Sequence, residues 1–126
     1  MDLPFIFDSD VHSDTFHLGG FLDEKLLCVG TFIKSSLNGL EGEQYQLRGM
    51  ATSPDARNKG LGKQLLEHAV NDLQEKEVNY LWCNAREIAV PFYEKCGFYI
   101  IGNSFEVPQI GTHYKMVKKI QKNEEF

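Results

Sequence analysis

The sequence predicts a mixed α/β (α+β) domain with a parallel strand–helix–strand crossover at its centre and antiparallel strands on either side. Three observations lead there. Runs rich in β-formers at Thr15–Phe21 and Leu26–Ile33 flank the short turn Asp23-Glu24-Lys25. Leu61, Leu65, Leu66, Ala69, Val70 and Leu73 recur at helical spacing. A short apolar run, Asn79–Asn84, follows that helix directly. A length of 126 residues argues for one domain, 1–126, large enough to bury a core.

The elements follow in order. Residues 1–14 alternate acids with turn formers and show no clear period, so an irregular segment is expected there. Thr15–Phe21 and Leu26–Ile33 read as a hairpin. Ser35–Glu43 contains Asn38-Gly39 and Gly42 and reads as a loop. Tyr45–Thr52 reads as a third strand, and Gly49 inside it predicts a bulge. Ser53-Pro54-Asp55 breaks the chain before a helix over Gly60–Lys76. After the strand Asn79–Asn84, Ile88–Lys95 reads as a second helix, with Pro91 in its first turns and Gly97 closing it. Phe98–Phe105 and Thr112–Val117 read as two last strands, and residues 118–126 as a charged, frayed tail.

Composition narrows the function. The net charge of −5 argues against a nucleic-acid partner and fits a cationic substrate. No apolar run reaches the ~18 residues of a membrane span, and the first residues lack the pattern of a signal peptide, so a cytoplasmic protein is expected. Cys28, Cys83 and Cys96 form no metal-like pair and sit in apolar runs, as buried free thiols do. No metal is expected.

The most informative stretch is Arg57-Asn58-Lys59-Gly60-Leu61-Gly62-Lys63, which opens the long helix. Backbone N–H groups at a helix start have no intrahelical partner, and the dipole there favours an anion. Gly60 and Gly62 remove side chains that would block a ligand's approach, and Arg57, Lys59 and Lys63 add charge suited to a pyrophosphate. A P-loop is rejected because its first glycine is missing and Gln64, not Ser or Thr, follows Lys63. A dinucleotide fingerprint fails for want of a third glycine. A bare glycine-punctuated helix start is the remaining alternative.

The run R-x-x-G-x-G at Arg57–Gly62, after the strand Leu47–Thr52, resembles the cofactor motif of the GNAT superfamily of acyl-CoA N-acyltransferases. A second match follows: Asn84 at a strand end, Ala89, then Phe92-Tyr93-Glu94-Lys95-Cys96-Gly97-Phe98, similar to that family's asparagine, alanine and tyrosine–glutamate–lysine–x–glycine–phenylalanine segment. The likeness covers about Thr15–Val117 and is that of a small bacterial-type domain. It implies acetyl-CoA as cosubstrate, with the pantetheine arm between the strands ending at Thr52 and Asn84. Met50, Ala51 and Thr52 would pair with it through their backbone. The pyrophosphate would rest on Arg57, Asn58, Lys59, Gly60, Leu61, Gly62 and Lys63, and Asn84, Ala89, Phe92 and Tyr93 would line the far side.

The resemblance also implies direct attack of a neutral amine on a thioester. An alkylammonium has a pKa of ~10 and must lose a proton, the thioester oxygen must be stabilised, and the departing thiolate benefits from an acid. Tyr93 matches the family's acid. A backbone N–H near Met50, exposed by a bulge at Gly49, suits the oxygen. His17 and His113 are the base candidates, the latter in a final-strand segment similar to one GNAT subgroup. Glu43, Glu106 and a water chain stay open, and His12 and His68 read as solvated. The acceptor is a small amine or a protein amine.

The front end is short against the family's usual strand and helices. That leaves three explanations: a minimal enzyme, a truncated copy, or a homodimer whose partner fills the gap and covers a sheet edge. Two other functions compete with an active enzyme, namely a CoA-binding module that has lost catalysis and an interaction domain that keeps only the fold.

Overall fold

The computed structural model describes residues 5–9, 15–22, 25–54 and 60–120. Seven strands form one sheet: β1 (Phe5–Ser9), β2 (Thr15–Leu22), β3 (Lys25–Lys34), β4 (Gln44–Thr52), β5 (Tyr80–Arg86), β6 (Tyr99–Val107) and β7 (Gly111–Lys119), in the order β1-β2-β3-β4-β5-β7-β6. Helix α1 (Leu61–Glu75) joins β4 to β5, and a 3₁₀ turn (Glu87–Ala89) leads into α2 (Val90–Lys95). The β4–β5 pair is parallel and the other pairs are antiparallel. The predicted crossover and its antiparallel flanks are present.

Alternation along the strands sends one set of side chains under α1. Phe16 and Leu18 of β2, Cys28 and Phe32 of β3, Tyr45 and Leu47 of β4, and Leu81 and Cys83 of β5 are buried there. They meet Leu61, Leu65, Leu66, Ala69 and Leu73, the apolar stripe of α1. The rings of Phe16 and Phe32 stack at 4.8 Å. The helix lies close enough that a Cβ on Gly30 would stand 2.9 Å from Leu65 Cδ2. Removing a side chain such as Leu65, which is fully buried, costs about 2–5 kcal/mol in comparable cores.

Local signals explain the boundaries. Gly60 is the N-cap of α1 and Lys76 its C-cap, so the helix itself starts and ends one residue inside the predicted Gly60–Lys76. The second helix is tighter than expected at its start: the stretch before Val90 is a 3₁₀ turn, and Pro91 occupies the first turn of α2, where its missing N–H costs nothing. The helix ends in a Schellman pair, with Phe98 N–H donating to the Tyr93 carbonyl and Gly97 N–H to that of Glu94, each at 3.0 Å.

Two expectations are corrected. Residues 1–14 are not wholly irregular: Phe5–Ser9 forms β1, with Phe5 opposite Gly20 and Ser9 opposite Phe16. Five residues are too few to display a period, and β2 supplies the pairing. The sheet edge expected to lack its first strand therefore has one, and the case for a second copy that rested on that gap loses its premise. At the other end, Lys118 and Lys119 belong to β7 rather than to a frayed tail. Ile120 is buried and its N–H donates to the Asn79 carbonyl at 2.8 Å. Residues 121–126 lie outside the described residues.

Candidate active site

β4 and β5 pair only from Gln44↔Tyr80 to Leu47↔Cys83. Beyond that point β4 stays with β3, Thr31 facing Arg48 and Cys28 facing Thr52, while β5 stays with β7, Asn84 facing Lys115 and Arg86 facing His113. The two central strands thus part and leave a cleft between their C-terminal halves.

The predicted bulge lies at the start of the cleft. The β3–β4 register steps from Thr31↔Arg48 to Val29↔Ala51, so Gly49 and Met50 together oppose Gly30. Gly49 has φ 66°, a conformation that costs L-residues with a side chain about 1–2 kcal/mol. A bulge bends its strand and increases the local twist, which turns β4 away from β5.

The turn into α1 closes the helix side of the cleft, and its two glycines do different things. Gly60 has φ 75°, and a Cβ there would meet nothing within 4 Å. Backbone conformation requires glycine at this position. Gly62 has an ordinary φ, but its Cβ would stand 2.7 Å from Met50 Cε and 3.1 Å from Phe92 Cζ. A glycine here lets α1 pack closely against Met50 and Phe92. The N-cap makes no side-chain capping bond. Arg57, Asn58 and Lys59 lie outside the described residues. Lys63 is exposed and, with Lys95 and Lys118, rims a groove of about 240 Å³ floored by Leu66 and Val70.

On the far wall Asn84 is exposed and Ala89 half-buried. Phe92 and Tyr93 pack edge-on at 5.2 Å, and Tyr93 meets Phe98 in the same manner at 5.3 Å. Burial pushes the Tyr93 phenol well up from its ordinary value of 10, and Cys83 and Cys96 beside it add to the shift. The hydroxyl therefore keeps its proton through the neutral range and offers a donor. Burial also pushes the Cys83 thiol up to about 12, which leaves it inert. The thiols of Cys28 and Cys96 are raised by the same cause.

Both histidines lie on the sheet face opposite the helices. His113 is 8% exposed, and its Nδ1 lies 2.9 Å from the Gly111 carbonyl. A carbonyl only accepts, so Nδ1 carries the hydrogen and Nε2 of the neutral ring is the acceptor. Its neighbours by register are Arg86 on β5 and Phe105 on β6. His17 holds the Thr31 hydroxyl at 2.9 Å through Nδ1, with all of β3 between it and β4. Tyr93 and the two histidines are thus on opposite sides of the sheet. Glu43 precedes β4 at the paired end of the strands and bridges Lys34 at 3.2 Å, away from the cleft. Glu106 accepts a 2.6 Å hydrogen bond from the Thr112 hydroxyl. Sequence reading overlooked Arg48, the first β4 residue past the ladder, and Arg86, the last of β5. Only register reveals that they share a face.

A family model described as the acetyltransferase (GNAT) family matches residues 2–98. The chain is 37% identical over 116 residues to YitI of Bacillus subtilis, named an uncharacterized N-acetyltransferase, covering 91% of this chain and 78% of that one. It is 36% identical over 81 residues to the ribosomal protein bS18-alanine N-acetyltransferase of Escherichia coli, covering 62% of this chain and about half (55%) of that one. The fold superposes on an aminoglycoside 6′-N-acetyltransferase solved with coenzyme A at a TM-score of 0.73, with 13% identity over 89% of this chain and 76% of the other. This chain belongs to the GNAT acetyltransferase family, and is by that membership an acyl-CoA-dependent N-acyltransferase.

Proposed function

We propose that the protein transfers the acetyl group of acetyl-CoA to a primary amine by direct attack within the cleft between β4 and β5. The observation that carries this reading is the end of the parallel ladder at Leu47↔Cys83, beside a helix start without a side-chain cap. The residues fit the cosubstrate. The β5-facing edge of Met50, Ala51 and Thr52 has no strand partner past Leu47 and is available to an extended arm. The amides of Gly60–Lys63, with Arg57, Asn58 and Lys59 before them, would hold a diphosphate. Lys63 adds positive charge at the end of that turn, and Lys95 lines the same groove as Lys63. Asn84, Ala89, Phe92 and Tyr93 line the opposite wall.

When bound, acetyl-CoA supplies an activated acetyl thioester. The chain's own residues do the rest. Tyr93 holds a proton ready for the departing thiolate from the helix side. His113 Nε2, on the side away from the helices, accepts the proton that the amine must lose. His113 is favoured over His17 because its strand borders β5 and His17 is two strands from β4. The N–H of Met50, turned by the bulge, stabilises the thioester oxygen. Acid and base on opposite faces of the sheet let donor and acceptor approach from opposite sides.

Two measurements test this. Acetyl-CoA at 100 times its dissociation constant should stabilise the fold by ~2.7 kcal/mol. Thiol release across a panel of amines should then reveal turnover. No stabilisation would contradict the proposal. Stabilisation without turnover on any amine would mark a CoA-binding module instead.

A further inference from the structure

We infer that the acceptor amine carries its own carboxylate, held by the exposed Arg86 and Arg48 on the sheet face away from the helices. The inference rests on the proposed reaction and names the class of its second substrate.

The face away from the helices differs from the rest of the molecule in charge. The whole chain is acidic, at −5. Yet the described strand positions on this face carry Arg48, Arg86 and Lys115 around the cleft and no carboxylate, apart from Asp8, which stands opposite His17 on the edge strand. Both arginines are exposed, and neither has an ion-pair partner among the described residues. Lys115 is partly occupied, with Nζ 5.4 Å from the centre of the Phe105 ring.

Position gives these charges their meaning. Arg86 and His113 are cross-strand partners, and such pairs hold their Cβ atoms about 4.5–5.5 Å apart. An amine that gives its proton to His113 therefore brings its next few atoms alongside the Arg86 guanidinium. Arg48 faces the same space from β4, one residue past the ladder. A guanidinium fork matches a carboxylate with two parallel hydrogen bonds. A purely cationic acceptor would meet like charge at both walls. The acidic net charge suggested a cationic substrate, and the local field argues the reverse.

Two sources present this chemistry: a free α-amino acid, and a peptide whose first residue is acidic. Matched pairs separate them. Thiol release is measured with acetyl-CoA for alanine against alaninamide, and for aspartyl-alaninamide against asparaginyl-alaninamide. Rates are corrected for the fraction of neutral amine. The acid member of at least one pair should be preferred by about tenfold in kcat/KM, the scale of one charge-assisted pair. In Arg86→Gln and in Arg48→Gln the preference should shrink towards one through a higher acceptor KM. The KM for acetyl-CoA and its thermal stabilisation should stay within about twofold of the parent. Equal rates within both pairs, or a preference that survives in the double variant, would overturn the inference and leave the reaction standing. If acetyl-CoA stabilises the protein but no amine turns over, N-acetylalanine is titrated against N-acetylalaninamide on the CoA-loaded protein. Tighter binding of the acid supports the inference, and equal binding overturns it. Absence of stabilisation by acetyl-CoA would remove both readings at once.

Discussion

Tyr93 is held as a neutral phenol by its surroundings. Burial is the main cause, and the neighbouring thiols of Cys83 and Cys96 add to it. The sign of the linkage follows. The unfolded chain releases this proton near pH 10, and the folded chain holds it to higher pH. Stability from this group is therefore complete below pH 10 and falls as pH rises past it, by at most ~1.4 kcal/mol per pH unit. Tyr93→Phe should flatten that alkaline loss, which denaturant titrations between pH 8 and 11 would register. The same substitution should lower kcat by about 10²–10⁴ while changing the KM for acetyl-CoA little. A comparable fall is expected for His113→Ala. His17→Ala should act on stability through the lost Thr31 contact and leave kcat within about threefold.

The element that matters most is the junction of β4, the bulge and α1. Its glycines are expected to respond differently. Gly60→Ala should cost about 1–2 kcal/mol from backbone strain alone, because nothing stands where the new methyl would go. Gly62→Ala should cost about 1–3 kcal/mol by displacing Met50 and Phe92. Both of those side chains border the cleft, so Gly62→Ala should also raise the KM for acetyl-CoA. Thermal melts paired with steady-state rates distinguish the two. Much of this junction was legible in sequence. Gly49 reads as a bulge because a glycine inside a β-rich run has few other uses, and the stripe Leu61–Leu73 reads as a helix over a core. The division of labour between Gly60 and Gly62 was not legible, since it depends on Met50 and Phe92, which approach from other elements.

At the scale of the molecule, both helices pack on one side of a seven-stranded sheet, and on the other side Gln44 and Trp82 are buried beneath the loop after β3, which they bond at the Leu40 and Ser35 carbonyls. Strands β2 to β7 announce themselves by short runs of β-formers or apolar residues between turn signals. β1 does not, because five residues paired at an edge carry too little pattern, and the strand character of Lys118 and Lys119 was hidden by their charge. The parting of β4 and β5 cannot be read from either strand, because it is a property of where their ladder ends. The same holds for Arg48, Arg86 and His113, which lie far apart in sequence and meet only through register. No described helix is long and apolar enough to cross a membrane.

Amide hydrogen exchange with and without acetyl-CoA reads the cleft residue by residue. Protection should rise at Met50–Thr52 and across Gly60–Lys63, with little change along β2. Protection that appears elsewhere, while these two segments exchange as before, would contradict this assignment.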